Sequence, residues 1–285
     1  LLVIDGPALP GESPQTGPLL AGFGSPWPGP AQVSAGPDVS ALSLRATIPE
    51  RAGIGRLIAP LGQGPLGRWD RANELVLDIP QEVFASQSDI AALAGTGALL
   101  VEAGGSWELI GYRDAELIGV GQYRLTHLLR GLQGTVPAAA EPGAICVKLD
   151  NRLVLGGILP GETGVELSWS AVAAGLESDL IQSVYSGVST RPFSPVHLRV
   201  RQGVDLLSLS WVRRGIEVND SWPDFEAPNT GLFYVDIYRG SDIVFTETTQ
   251  LAHLEVSFAA QPGDVVHVGE IASTGQRGLP AQHLL

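Results

Sequence analysis

The chain has 285 residues and a mass of 29.9 kDa, long enough for two domains, and its 44 % hydrophobic residues exclude wholesale disorder. Seventeen basic against 30 acidic residues give a net charge of −13, a field that repels phosphate backbones and excludes a general nucleic-acid footprint. A single cysteine, Cys146, excludes an internal disulfide, and no apolar run approaches the ~18 residues of a membrane span.

No basic stretch followed by an apolar one opens the chain, Leu1 stands where an initiator would, and methionine is absent, so a processed or excised piece of a longer polypeptide is expected. Pro7, Pro10, Pro14, Pro18, Pro26, Pro28, Pro30 and Pro37 break residues 1–39. Each removes an amide donor, so this leading segment is expected to be extended and to wrap a neighbour rather than build its own ladder. Leu19, Leu20, Phe23 and Trp27 then need cover, partly from the first β domain and partly from other subunits. From Ser40 to Ile48 apolar and polar residues alternate as in a half-buried strand. The same period recurs over 74–79, 98–102, 107–112, 122–128 and 145–149, with glycine-rich turns between, which predicts an antiparallel sandwich or barrel over 40–190. Within it, residues 87–93 read as a short helical turn capped by Ser88 or Asp89.

Arg191-Pro-Phe-Ser-Pro195 reads as a stiff linker, and 195–285 as a second sandwich. Its strands are expected at 196–201, 206–213, 232–238, 243–248, 253–258 and 265–271, with an incomplete last one at 279–285. Leu207, Leu209 and Trp211 share one face of the second strand, and Ser208, Ser210 and Val212 the other. One inner tryptophan in a cysteine-free, seven-strand pattern resembles a fibronectin type III domain. Residues 214–231 form a long loop carrying Trp222 and Phe225.

Chemical motifs are sparse. Gly62-Gln-Gly-Pro-Leu-Gly67 has dinucleotide-loop spacing, but Pro65 interrupts it and Arg68-Trp-Asp-Arg71 follows in place of an apolar helix, which predicts a plain turn. There is no G-x-S-x-G and no Gly-Lys phosphate loop, and the five histidines stand singly, without zinc-site spacing. Asp114 and Glu116 share one strand face at ~6.5–7 Å, a separation open to an inverting glycosidase pair and equally to a solvated face. The carboxylates of Asp220–Glu226 lack EF-hand spacing, and whether they hold a cation stays open at this stage. No catalytic, cofactor-binding or metal residues are assigned. Arg130, after Leu128 and Leu129, is placed to cap carbonyls or meet an acidic neighbour. Phe23, Trp27, Trp69, Trp222 and Phe225 are the interface candidates.

Four groups of residues together resemble the C-terminal part of the tail-tip or baseplate hub protein, the megatron, of gene transfer agents and related long-tailed phages. They are Pro26-Trp-Pro-Gly29, Gly64-Pro-Leu-Gly-Arg-Trp-Asp-Arg71, and Trp107-Glu-Leu-Ile-Gly-Tyr-Arg-Asp-Ala-Glu-Leu-Ile118 with Tyr123-Arg-Leu-Thr-His-Leu-Leu-Arg-Gly-Leu-Gln-Gly-Thr135. The fourth is Trp211-Val-Arg-Arg214 with Asp220-Ser-Trp222, where Val212 replaces the family's isoleucine. The resemblance implies a non-enzymatic structural module in a virion or gene transfer agent particle, acting in host attachment and DNA delivery. Its implied partners are other hub, distal tail and fibre proteins in a threefold assembly, with no direct nucleic-acid binding. The alternatives carried forward are an extracellular carbohydrate-binding or adhesin module and a carbohydrate-active enzyme. The family's longer N-terminal half, part of it similar to a glycoside hydrolase barrel, has no counterpart in these residues.

Overall fold

The computed structural model describes residues 1–9, 14–174, 176, 179–214 and 230–285. The chain divides into two units, Leu1–Thr190 and Arg191–Leu285. In chain order the first unit carries β1 (Leu2–Ile4), β2 (Leu19–Ala21), β3 (Ala31–Gly36), β4 (Ser43–Ile48), β5 (Ile54–Leu57), β6 (Trp69–Asp70) and β7 (Leu75–Asp78). There follow the helix α1 (Asp89–Leu93), β8 (Leu99–Ala103), β9 (Ser106–Gly119), β10 (Gln122–Leu129), β11 (Ile145–Lys148), β12 (Val154–Leu155), β13 (Glu166–Ala173) and β14 (Asp179–Val184). Ser88 caps α1, its hydroxyl accepting from the Ala91 amide at 3.2 Å.

Strands β5, β7, β10, β9, β8 and β11 pair in that circular order, every ladder antiparallel, and β11 returns to β5. The result is a closed six-stranded barrel, with the two-residue β6 continuing the edge of β10 beyond β7. Closure needs an inside, and the sequence supplies one residue in two. Leu75 and Leu77, Leu99 and Val101, Ile110 and Tyr112, and Tyr123 and Leu125 all enter one buried cluster with Leu57 and Cys146. In β8 the intervening Leu100 is buried as well, because it faces outward into a second cluster with Ile4 and Leu19. A strand covered on both faces therefore reads as an unbroken apolar run.

The cover comes from a small sheet, β1–β2–β12, whose other side packs on a four-stranded sheet in the order β14–β13–β3–β4. Leu20, Val33, Ile48, Leu167 and Trp169 join these sheets in a third cluster. The leading segment therefore departs from the extended wrap expected of it: it contributes three strands, and β3 lies between β13 and β4 with a ladder on each side. The prolines bound these strands instead of interrupting them. Pro30 and Pro37 flank Ala31–Gly36, and Pro18 immediately precedes Leu19–Ala21, so no paired amide is missing. Leu19 and Leu20 are buried by their own chain.

Cys146 is fully buried on β11, and burial pushes its thiol up to about 12. It is expected to be inert to an aromatic disulfide reagent at pH 8 in the folded chain and to react in full once denaturant is added. Rapid labelling under native conditions would contradict the inward register of β11.

The second unit carries β15 (Val196–Gly203), β16 (Leu206–Val212), β17 (Thr230–Arg239), β18 (Asp242–Leu251), β19 (His253–Val256), β20 (Asp264–Ile271) and β21 (Ala281–Leu284). They form a three-stranded sheet, β15–β16–β19, and a four-stranded sheet, β18–β17–β20–β21, the arrangement of a fibronectin type III-like sandwich. Leu207, Leu209 and Trp211 meet Phe233, Val235, Ile237, Val266 and Val268 in its core. The last strand is four residues long and pairs with half of β20.

Candidate functional site

The charged residues of three motif stretches converge at one place on the barrel. Trp69-Asp70 is β6, Glu108 lies near the start of β9, and Arg130 follows the last residue of β10; the β10 ladders with β6 and β9 bring them together. The Arg130 side chain is wholly buried. It donates from Nε and Nη2 to the two Glu108 oxygens at 2.7 and 2.8 Å, from Nη1 to the Gly62 carbonyl at 2.8 Å and to Asp70 Oδ2 at 3.4 Å, and from Nη2 to the Ala138 carbonyl at 2.9 Å. Every N–H of the guanidinium is thereby used. Glu108 accepts further bonds from the amides of Gly131 and Ala138. Burial works to raise the Asp70 carboxyl, but bonds from the Asn73 side chain and the Asn73 and Ala72 amides, with the Arg130 charge, outweigh it and hold it below the usual aspartate range.

Two glycines of the same motifs make room for this cluster. A Cβ on Gly64 would stand 2.6 Å from Arg130 Cγ and from Asp70 Oδ2. Gly131 has φ +63°, and a Cβ there would meet Leu66 at 2.4 Å. Arg130 thus both caps carbonyls and meets acidic neighbours. The spacing Gly62…Gly67 forms a loop leading into β6, not the strand-to-helix turn that cradles a pyrophosphate.

A second ionic cluster ties the loop after β7 to the far edge of β11. Arg152 donates to both oxygens of Glu82 at 2.7 Å and also binds Asp150, while Lys148 Nζ reaches Glu82 at 3.2 Å and the Val83 carbonyl at 3.1 Å. Burial raises the Glu82 and Asp150 carboxyls, and the bonds and charges of Arg152 and Lys148 more than reverse this. Nothing in the sequence announces the pairing, because Glu82 and Arg152 are brought together only by barrel closure.

Asp114 and Glu116 are both engaged in ion pairs on the exposed part of β9. Asp114 meets Arg113 at 2.9 Å and His127 Nδ1 at 2.7 Å; Glu116 meets Arg124 at 2.9 Å. The Arg113 hydrogen bond holds Asp114 below the usual carboxylate range, the reverse of what a general acid needs. Among the described residues no three His, Cys, Asp or Glu side chains gather as metal ligands, and no helix is long and apolar enough to cross a membrane.

The aromatic candidates separate. Phe23 is 45 % exposed, with the Arg51 guanidinium 5.3 Å above its ring. Trp27 is half-buried against the cluster around Leu20 and Trp169, and with Leu1, Phe23 and Leu176 it lines a shallow apolar cleft. Trp69 is half-buried on β6, beside Asp70, whereas Phe23 and Trp27 lie between β2 and β3. Trp222, Phe225 and the carboxylates of 220–226 lie outside the described residues.

Residues 52–147 match the family described as Rcc01698-like, C-terminal. That stretch spans the barrel from just before β5 to β11 and contains the whole Arg130 cluster. No curated protein matches the chain. Among solved structures it is similar to the extracellular domains d3–d4 of rat CD45, with 13 % identity over 48 % of this chain and 71 % of that one and a TM-score of 0.26. The CupB2 chaperone of Pseudomonas aeruginosa is 11 % identical over 74 % of this chain and 92 % of its own, with a TM-score of 0.20. A marsupial T cell receptor is 11 % identical over 96 % and 97 %, with a TM-score of 0.17.

Proposed function

We propose that the chain is a structural β module of a phage-like tail tip, without catalytic chemistry of its own. In this reading it assembles with hub, distal tail and fibre proteins around a threefold axis and serves host attachment and DNA delivery. The observation that supports it most is the fate of the motif residues. Those of 64–71, 107–118 and 123–135 that carry the resemblance include Gly64, Asp70, Glu108, Arg130 and Gly131, and these knit β6, β9 and β10 into a closed barrel rather than lining an open cleft. The three stretches also fall wholly inside the segment that the family match covers.

The test is direct. Antibodies raised against residues 195–285 and coupled to gold are expected to decorate the distal end of the tail in electron micrographs of purified particles. Gold confined to the capsid, or particles of normal composition lacking the chain, would overturn the proposal.

A further inference from the structure

The outer face of β15–β16–β19 is basic in a strongly acidic protein. Leu198 and Val200 of β15 pack inward, which turns Arg199 and Arg201 outward. Across the sheet the register aligns Arg199 with Ser210 and His253, and Arg201 with Ser208 and Glu255. Both arginines are exposed and, among the described residues, neither side chain has an ion pair or hydrogen bond. Three other arginines of this unit behave differently: Arg213, Arg239 and Arg277 meet Glu270, Asp264 and Asp236, while Arg214 lies over the Phe193 ring. Two serines between the long basic side chains and β19 leave the middle of the face low. Where β15 bulges between Val196 and Arg199, with His197 at φ +54°, an open cleft of about 300 Å³ is lined by His197, Arg199, Ser210, Trp211 and Val212. The acidic groups nearest on these strands are Glu255, two strands from Arg201, and Asp205 in the β15–β16 turn; neither pairs with the arginines.

β15 is also an edge strand: its ladder is with β16 alone, and β21 of the other sheet lies close to it without pairing. We infer that the edge from Arg199 to Gly203 receives an extended acidic segment of a partner chain as an added strand, with carboxylates at alternate positions opposite Arg199 and Arg201. The two arginines lie two residues apart, so they stand ~6.6–6.8 Å from each other, the spacing at which any extended chain repeats its own same-face side chains. Directly opposed residues of paired strands bring their Cβ atoms within ~4.5–5.5 Å, close enough for each carboxylate to meet one guanidinium. The residue between the carboxylates would share the side of Val200 and is therefore apolar. This recognition is independent of the tail-tip reading. It also favours a polypeptide over an anionic polysaccharide, which has the charge but no backbone to continue the ladder.

The experiment uses the full chain and the peptide acetyl-Thr-Glu-Val-Glu-Val-Thr-amide, with its isomer acetyl-Thr-Glu-Glu-Val-Val-Thr-amide and heparin as comparisons, followed by calorimetry at low salt. The alternating peptide is expected to bind at least about tenfold more tightly than the isomer, and to lose about tenfold or more in the double variant Arg199→Glu, Arg201→Glu. That variant, its fold checked by thermal melting, is expected to bind the lysine counterpart of the peptide instead. Should the double reversal not fold, Arg199→Gln with Arg201→Gln, checked by thermal melting, replaces it and is expected to lose the acidic peptide likewise. Equal affinity for the isomer, heparin binding without peptide binding, or binding unchanged in the folded variant would each overturn the inference.

Discussion

Arg130→Ala is expected to destabilise the first unit by about 3–5 kcal/mol, because it leaves Glu108 and Asp70 buried without their cation. Arg130→Lys should recover little of this. An ammonium has three donors and no fork, whereas the site asks for a two-pronged contact to Glu108 and three further bonds to Gly62, Asp70 and Ala138. Urea unfolding followed by the far-ultraviolet signal of residues 1–190 provides the measurement. A loss under about 1 kcal/mol would mean that the cluster contributes no more than an exposed ion pair. The pH dependence has a definite sign. Asp70, Glu82 and Asp150 are all held below the ordinary carboxylate range in the fold. Each returns to about 4 on unfolding, so its contribution is complete above that value and is lost as pH falls through the lower, folded value. Acid should therefore destabilise this unit of the wild-type chain.

Trp211→Ala is expected to cost the second unit about 3–5 kcal/mol, the range for deleting a large buried aromatic. Trp211 is 3 % exposed and packs edge-on to Phe233 with 5.4 Å between ring centroids, within the core shared by the two sheets. Its indole N–H is buried without a partner, so Trp211→Phe removes an unsatisfied donor along with part of the ring. The phenylalanine variant should accordingly lose clearly less than the alanine one. Thermal melting of residues 191–285 in the two variants separates these outcomes, and equal losses would show that neither the remaining ring nor the removed donor offsets the damage at this position.

The second unit was legible in the sequence because its strands are covered on one face only. In β16 the inward Leu207, Leu209 and Trp211 alternate with outward Ser208, Ser210 and Val212, and a period of two survives in the letters. The first unit shows the same period in β4, β7, β8, β9, β10 and β11, but hides other strands for two reasons. Strand β13 buries Ser168 and Ser170 together with Leu167 and Trp169, so polarity no longer reports facing. In the leading segment the density of prolines masks Pro-free windows just long enough for β2 and β3. The site divides in the same way. Arg130 stands out as a lone charge after two leucines, but its partners at 70 and 108 come from other strands, and Glu82 with Arg152 leaves no local sign at all. Pairings of that kind are decided by how strands close around a core, which no short window of sequence contains.

Barrel closure also constrains how this segment can change length. A sheet with free edges absorbs an inserted residue when its outer strand slides. Here β9 and β10 complete a ring, so a one-residue slip in any strand would have to be passed around all six and would turn inward side chains outward. Insertions and deletions are thereby directed to the turns, above all 58–68, 80–88 and 131–144. The cluster at Arg130 narrows even that freedom, since its acceptors at Gly62 and Ala138 lie in two of these three turns.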